Sequence, residues 1–170
     1  TEEPHGEIIG PTRDRGDMTG LIIKNGFIVS EWGNIDRVDM TFSISKTYLS
    51  TVIGVALDKG LIHDVNDKVQ MYVPTEHFES EHNSKITWDH LLRQTSHWKG
   101  TLWDKPDWAD RPPKNVAWTE LQNQPMYEPG KNWKYNDVRV NLLAFSGLQV
   151  WRKPLPQVLK EKVMDPIGAS

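Results

Sequence analysis

The sequence contains no cysteine and no long apolar run, which excludes disulfide bonds and leaves no segment of membrane-spanning length. Signal-peptide patterns, internal repeats and low-complexity segments are absent as well. Neither sign of charge is in excess, because 20 Lys and Arg are interspersed with 23 Asp and Glu for a net charge of −3. Nucleic acids and anionic membranes are therefore not indicated as partners. The chain starts at Thr1 and not at Met, so we expect a trimmed or truncated N-terminus, and the compartment is left open.

The composition is that of one domain with a sizeable core, since 37% of the 170 residues are hydrophobic. Apolar runs on both sides of Lys24-Asn25-Gly26 predict a β-hairpin over residues 19–33. A hairpin alone is a marginal sheet with open edges, so further strands are expected beside it. A loop is predicted at residues 1–17, and helices at about residues 43–59, 67–72, 87–94, 137–151 and 155–163.

Two predicted helix starts carry side chains capable of chemistry. Ser43 and Lys46 lie three residues apart, so on a helix they share one face, one turn from each other. Lysine is a poor base at its usual pKa, but burial and a neighbouring donor can lower that pKa into the working range. With a hydroxyl reaching in from Tyr135, these side chains form a credible nucleophile and proton-shuttle set. The sequence therefore predicts serine acyl transfer, with Ser43, Lys46 and Tyr135 as candidate catalytic residues.

The Ser-x-x-Lys pattern is short, and simpler interpretations stay open. Ser43 also fits a helix N-cap, and Lys46 a solvated lysine of the first turn. A second match, Ser96 with Lys99, enters a Trp- and Pro-rich loop with no apolar periodicity behind it. The segment after Ser43 instead shows an apolar stripe that ends at Gly60, which is typical of a buried helix.

Four landmarks, in this order, resemble the class C β-lactamase, DD-peptidase and family VIII esterase superfamily of serine hydrolases. Residues 41–47, TFSISKT, resemble its nucleophile segment, and residues 58–62 with 67–74 resemble the short helix and acidic turn that follow. Residues 86–96, ITWDHLLRQTS, resemble its I-T-x-x-x-L-L-x-H-T-S segment. Residues 128–137 resemble its P-G-x-x-x-x-Y-S-N segment.

This resemblance covers residues 19–170 and implies an α+β fold like that of serine β-lactamases and penicillin-binding proteins. The implied fold is incomplete, with the N-terminal hairpin of the antiparallel sheet and most of the helical part present and the C-terminal strands missing. Residues 1–170 would be one partial catalytic domain, with the hairpin at 19–33 and a mainly helical part at 43–170. The resemblance also implies acylation of Ser43, with Lys46 as proton acceptor and Tyr135 as relay, followed by hydrolysis without metal or organic cofactor.

Asp137 departs from the family pattern, which usually has Asn at this position. Asn can donate a hydrogen bond to a substrate carbonyl, whereas an ionised Asp only accepts, and an Asp facing Lys46 favours the charged ammonium. We therefore expect Asp137 to lie among the substrate-binding residues and to favour esters or simple amides over acylamino β-lactams. Asn136 and Asp137 also fit a helix N-cap. Gln94 replaces a frequent family His and is interpreted as a packing difference.

The family's third motif, Lys-Thr-Gly or His-x-Gly, does not occur in these 170 residues. In the family that motif lies on a strand that supplies one of two oxyanion-hole N–H groups. Losing one such donor typically costs about 10²–10³ in rate. The resemblance therefore implies that a second chain completes the site, or that this chain alone has weak or no activity.

The Trp- and Pro-rich loop at residues 98–133 offers aromatic faces that can stack on sugars or aromatic substrates. Within it, Trp98 and Trp133 are expected to reach the pocket and bind substrate. The alternative is that these rings hold a long irregular loop against the helices. Residues 76–82 are rich in His and Glu but match no closed zinc pattern, so no metal site is predicted.

Three hypotheses compete. The leading one is a serine hydrolase acting on a small-molecule ester, amide or β-lactam-like substrate. The second is a binding module, in which the Trp-rich loop recognises a glycan or peptidoglycan-like ligand and Ser43 is vestigial. The third is one half of a two-chain enzyme that turns over nothing by itself.

Overall fold

The structure is a computed structural model that describes residues 16–112 and 115–169. The loop predicted at residues 1–17 thus falls almost wholly outside the described residues. The chain divides into two compact units, Thr1–Thr41 and Phe42–Ser170. The first contains the hairpin, and the second contains the helices.

The predicted hairpin is confirmed in the first unit. Strands β1 (Gly20–Lys24) and β2 (Phe27–Trp32) pair antiparallel across a two-residue turn. Asn25 at φ 53° and Gly26 at φ 81° both have the left-handed backbone that such a turn requires. Apolar side chains of both strands are exposed, and within the described part of the chain no third strand pairs with them.

The second unit is built from helices joined by irregular segments. Helix α1 (Ser45–Asp58) follows a 3₁₀ turn at Phe42–Ile44, and Gly60, at φ 70°, terminates it with a left-handed residue. The later helices are α2 (Trp88–Leu92), α3 (Trp118–Gln122), α4 (Asp137–Trp151), α5 (Leu155–Leu159) and α6 (Asp165–Ile167). None of the helices in the described ranges is long and apolar enough to cross a membrane.

The helix predicted at residues 67–72 is wrong, because only a 3₁₀ turn forms there, at Val69–Met71. The backbone of this segment pairs with a distant one instead, since Val69 N–H donates to the carbonyl oxygen of Ile86 at 2.9 Å. Tertiary pairing thus overrides the local helical pattern.

Two further segments differ in extent from the sequence prediction. The helix predicted at residues 155–163 continues beyond α5 as a π-helical turn, Lys160–Met164, and then as α6. The loop at residues 98–133 contains structure of its own. Its short elements are β3 (Thr101–Leu102), β4 (Lys105–Pro106), a 3₁₀ turn at Asp107–Ala109 and α3.

The core of the second unit lies where α1 packs against α4 and α5, and α2 against α4. At Gly147 an added Cβ would lie 2.8 Å from Ile53 Cδ1, so glycine allows α1 and α4 to approach closely. The Trp151 indole crosses the same interface and donates to the Val52 carbonyl oxygen at 3.3 Å. The largest fully buried side chains are Trp88, Trp98 and Phe78.

Asn136 is fully buried and fixes the start of α4. Its side-chain oxygen accepts from Arg139 N–H at 2.9 Å, which confirms the predicted N-cap. Its side-chain nitrogen donates to the Asp107 carbonyl oxygen at 2.8 Å, so the cap also ties α4 to the preceding loop. Since Tyr135 and Asp137 flank this residue, the cap sets the position of both.

We expect Asn136→Ala to lower the free energy of unfolding by about 2 kcal/mol, because it removes the cap, leaves the buried Arg139 N–H unpaired and removes one of the two hydrogen bonds to the Asp107 carbonyl oxygen. Urea unfolding measures this loss. Asn141→Ala is the matched control, since Asn141 is exposed within α4 and its replacement by alanine removes no cap. Equal stability of the two variants would contradict the role of the Asn136 side chain.

Candidate active site

The three predicted catalytic side chains lie together at the N-terminal end of α1. Ser43 Oγ lies 2.8 Å from Tyr135 Oη and 3.0 Å from Lys46 Nζ, which donates to it. Ser43 is in the 3₁₀ turn, Lys46 is in the first turn of α1, and Tyr135 ends the segment before α4. Both distances are within hydrogen-bond reach, as proton transfer from the serine requires.

The turn that carries Ser43 has an unusual backbone. Phe42, directly before the serine, adopts φ 46°, a left-handed conformation that costs energy for a bulky side chain. Ser45 Oγ donates to the Phe42 carbonyl oxygen at 2.7 Å and supports this turn. The turn leaves Ser43 exposed at the surface of the second unit.

Ser43 does not act as the N-cap of α1, which was the alternative interpretation of this residue. The N-cap position of α1 is Ile44, without a side-chain cap, so the Ser43 hydroxyl does not cap the helix. Ser96 of the second Ser-x-x-Lys match is fully buried, and its Oγ accepts from Trp98 N–H at 3.4 Å. The two matches are therefore distinguished by their surroundings and not by the pattern itself.

Gln94 braces the segment that carries Tyr135. Its side-chain oxygen accepts from Asn136 N–H at 2.9 Å, and its backbone carbonyl accepts from Lys134 N–H at 3.1 Å. These two hydrogen bonds hold the chain on both sides of Tyr135. The sequence interpretation of Gln94 as a packing difference therefore missed a direct contact with the candidate site.

Asp137 faces Lys46, as expected from the sequence. Its Oδ1 lies 2.9 Å from Lys46 Nζ, with which it forms an ion pair. Its Oδ2 accepts from Arg111 Nη2 at 2.5 Å. One carboxylate is thus shared between two cations.

The shared carboxylate and its partners shift each other's ionisation. Burial of Lys46 favours the neutral amine, but contacts with Tyr135 and Asp137 favour the ammonium more strongly and hold the pKa of Lys46 above its ordinary value. Burial of Asp137 opposes ionisation, yet Lys46 and Arg111 hold the pKa of that carboxyl below its usual range. In the resting site, Lys46 is therefore positively charged and Asp137 negatively charged at neutral pH.

Asp110 and Arg111 belong to the site although the sequence analysis did not single them out. Asp110 Oδ2 accepts from Arg111 Nη1 and from the backbone N–H of Asp137, both at 2.8 Å. The Arg111 guanidinium lies over the Tyr135 ring, 4.7 Å from its centroid. An adjacent Asp-Arg pair in a loop gives no signal of a partner 26 residues away, so only the fold reveals this contact.

The two tryptophans predicted to bind substrate lie in different environments. Trp98 is fully buried in the core, and its indole N–H donates to the His77 carbonyl oxygen at 2.7 Å. It has no surface with which to touch a ligand, so its assignment to the pocket is corrected to a packing role. Trp133 is 65% exposed.

The His- and Glu-rich segment shows no metal site. In the described ranges, no three His, Cys, Asp or Glu side chains are grouped so that they could hold a metal ion. His77 instead packs edge-on against Trp98 and Phe145, and His82 Nε2 contacts the His97 carbonyl oxygen at 3.0 Å. This segment is part of the packing of the second unit.

Comparison with known proteins finds a family and a fold. The family model described as Beta-lactamase matches residues 34–170. No curated protein matches the chain.

Several solved structures are similar to this chain. A D-stereospecific amidohydrolase from Streptomyces sp. is 23% identical with a TM-score of 0.54, over 74% of this chain and 41% of the other. EstCE1, a hydrolase with promiscuous acyltransferase activity, is 19% identical with a TM-score of 0.59, over 88% and 46%. A beta-lactamase/D-alanine carboxypeptidase from Yersinia pestis is 21% identical with a TM-score of 0.52, over 84% and 45%.

Because these structures are less than 25% identical to this chain, their similarity shows that the chain shares their fold. The predicted α+β class is confirmed, and the fold is partial, since the chain spans less than half the length of each of these structures.

We expect Asp137→Asn to lower the pKa of Lys46, because burial of the ammonium then acts with less opposition. Titration of the ¹³Cε NMR signal of Lys46, assigned with Lys46→Arg, measures this shift. Asp89→Asn is the control, since it removes the partner of Arg93, an ion pair of α2 at 3.1 Å. An unchanged or raised midpoint in Asp137→Asn would contradict the electrostatic interpretation.

Proposed function

Because the chain belongs to the beta-lactamase family, we propose that it is a serine hydrolase that cleaves a small ester or amide through an acyl-enzyme. The observation that carries this proposal is the position of Ser43 Oγ, within 3.0 Å of both Tyr135 Oη and Lys46 Nζ. A serine needs such a base nearby, since its hydroxyl is a weak nucleophile at neutral pH.

In the proposed reaction, Ser43 Oγ bonds to the carbonyl carbon of the substrate, and its proton passes through Tyr135 Oη to Lys46 Nζ. The same proton then returns to the leaving alcohol or amine as the scissile bond breaks. Water then attacks the carbonyl carbon of the acyl-enzyme, and its proton is taken up by the same two side chains. The bond to Ser43 Oγ breaks, the acid is released, and that proton returns to Ser43. No redox step is involved, and the chain's own side chains balance the protons.

Asp137 limits how readily this base is available. A charged ammonium accepts no proton, so only the deprotonated fraction of Lys46 is competent to take the serine proton. That fraction rises about tenfold with each pH unit below the pKa of Lys46. Because Asp137 raises that pKa, the proposed acylation is favoured by alkaline conditions.

The substrate class follows from the same carboxylate. An ionised Asp137 accepts hydrogen bonds and repels carbonyl oxygens, so it suits substrates that lack an acylamino carbonyl at that position. Esters and simple amides satisfy this condition. The names of the similar structures, an amidohydrolase and a hydrolase with acyltransferase activity, support carbonyl chemistry of this kind.

The activity of the whole protein is part of this proposal, because the chain spans under half the length of the similar structures. We propose that the second oxyanion donor, which no Lys-Thr-Gly or His-x-Gly of these 170 residues supplies, comes from residues outside them, in a second chain or elsewhere in the same polypeptide. Native mass spectrometry of an active preparation tests this form of the proposal. An active particle with the mass of these 170 residues alone would contradict it.

A binding module is the second candidate, favoured by exposed tryptophans. Trp103, Trp118 and Trp133 are 67%, 62% and 65% exposed, and such rings can stack on sugar faces. A glycan that binds equally well to the native chain and to Ser43→Ala, with no serine labelling in either, would support this candidate over the hydrolase.

The hydrolase proposal predicts covalent labelling at one serine. A fluorophosphonate probe should modify Ser43, as shown by peptide mass mapping, and Ser43→Ala should abolish the label. Ser50→Ala is the matched control in the adjoining helix α1, since Ser50 is also exposed and its Oγ donates to the Thr47 carbonyl oxygen. Label on Ser96, or on no serine, would overturn the assignment.

Tyr135→Phe should slow this labelling by about 10²–10⁴, the usual contribution of a positioned acid–base group. The variant removes only the hydroxyl that lies 2.8 Å from Ser43 Oγ and keeps the ring that both cations contact. Tyr127→Phe, which alters an exposed ring packed edge-on against His97, is the control. A labelling rate within twofold of the native rate would exclude Tyr135 as a relay.

A further inference from the structure

Arg111 connects three groups of the candidate site. Its Nη2 lies 2.5 Å from Asp137 Oδ2, its Nη1 lies 2.8 Å from Asp110 Oδ2, and its guanidinium covers the Tyr135 ring at 4.7 Å. Lys46 Nζ lies 5.1 Å from the centroid of the same ring. The two cations therefore contact one phenol ring and share one carboxylate.

We propose that Arg111 is a positioning residue of this site, which binds the second oxygen of Asp137, limits the hold of that carboxylate on Lys46 and so keeps Lys46 able to accept the serine proton. This inference rests on the proposed function. It assigns to Arg111 a role exerted through Asp137, and not a contact with the substrate.

The geometry favours this role for three reasons. A carboxylate whose charge is partly satisfied by a guanidinium at 2.5 Å attracts a second cation less strongly than a free one does. The guanidinium contacts the same phenol ring and the same carboxylate as Lys46, and a positive charge there disfavours a second ammonium. Asp110, only 6% exposed in its side chain, holds the other arm of the fork, so Arg111 is aimed at Asp137 by a fixed partner.

The groups around Lys46 that set its charge can be named from each neighbouring segment. Tyr135 and Asp137 come from the segment that begins α4, and Arg111 from the loop after the 3₁₀ turn Asp107–Ala109, with Asp110 behind it. In the described part of the chain, these are the charged and titratable side chains in contact with Lys46 or with its carboxylate partner.

A merely structural salt bridge would predict different behaviour. If Arg111 only held Asp137 in place for Lys46, its removal would free the carboxylate and weaken the Lys46 ion pair, and labelling of Ser43 would become faster. If Arg111 only stabilised the loop, its removal would slow labelling regardless of the charge at position 137. The sign of the change and its dependence on Asp137 therefore separate these roles from the proposed one.

The test measures the rate of fluorophosphonate labelling of Ser43 at pH 8 and low salt in the full chain. Arg111→Gln should slow it about threefold, a modest effect because the side chain is 42% exposed. Arg111→Lys, which keeps the charge without the planar fork, should recover part of the loss. Molar salt should shrink the difference between native chain and Arg111→Gln, since it screens exposed charges. Arg93→Gln, at an exposed ion pair on α2, is the control and should change nothing.

The decisive comparison repeats Arg111→Gln in the Asp137→Asn background. There the neutral side chain no longer attracts Lys46, so the effect of Arg111→Gln should fall to less than half of its value in the native background. An equal loss in both backgrounds, a faster rate in the single variant, or no change in it would overturn the inference. So would an Arg111→Lys variant as slow as Arg111→Gln.

A direct titration distinguishes failure of this inference from failure of the proposed function. The ¹³Cε signal of Lys46 should titrate at a higher pH in Arg111→Gln than in the native chain, whether or not any serine is labelled. If no serine is labelled but the titration midpoint of Lys46 rises, the hydrolase proposal is wrong, while the effect of Arg111 on the charge of Lys46 is supported. If Ser43 is labelled but the midpoint stays or falls, the inference fails alone.

Discussion

The buried side chain of Asn136 determines where α4 begins, and the candidate site depends on that position. Its oxygen binds the first turn of the helix and its nitrogen binds the Asp107 carbonyl, while Gln94 holds its backbone N–H. Three hydrogen-bonding groups of one residue thus fix a single point of the chain. Because Tyr135 and Asp137 flank this residue, the same hydrogen bonds place Tyr135 beside Ser43 and Asp137 beside Lys46.

A second set of buried contacts also holds the start of α4 against the preceding loop. Arg139, in the first turn of α4, donates to the Trp98 carbonyl oxygen at 3.1 Å and pairs with Asp107 at 2.9 Å, and the two side chains of this pair are only 6% and 8% exposed. Breaking one partner of such a pair is strongly destabilising, because it leaves a buried charge without compensation. The loop that carries Asp107, Asp110 and Arg111 is therefore held to α4 by charge as well as by the Asn136 cap.

Sequence reasoning identified the candidate side chains but not the loop contacts that hold them. Ser43 and Lys46 share a helix turn, so their proximity follows from helical geometry alone, and α4 matched its predicted bounds because its cap is local. Contacts that depend on how the irregular segments fold could not be predicted from the sequence in this way. The Gln94 hydrogen bond with Asn136 N–H and the Arg111 hydrogen bond with Asp137 span 42 and 26 residues of chain, respectively, and depend on how a loop folds back. Trp98 was misplaced for the same reason, since a loop tryptophan in the sequence became a core residue in the fold.

The charged side chains of the candidate site alternate in sign. The Lys46 ammonium faces the Asp137 carboxylate, which faces the Arg111 guanidinium, which faces the Asp110 carboxylate. The last carboxylate accepts the backbone N–H of Asp137, where the positive end of the α4 dipole stabilises a negative charge. An Asp at position 137 without Arg111 would place its full charge against Lys46, and an Arg111 without Asp110 would have one anchor fewer. The departure from the family's Asn is thus one member of a charge set, and its effect on the proposed base depends on the other members being present.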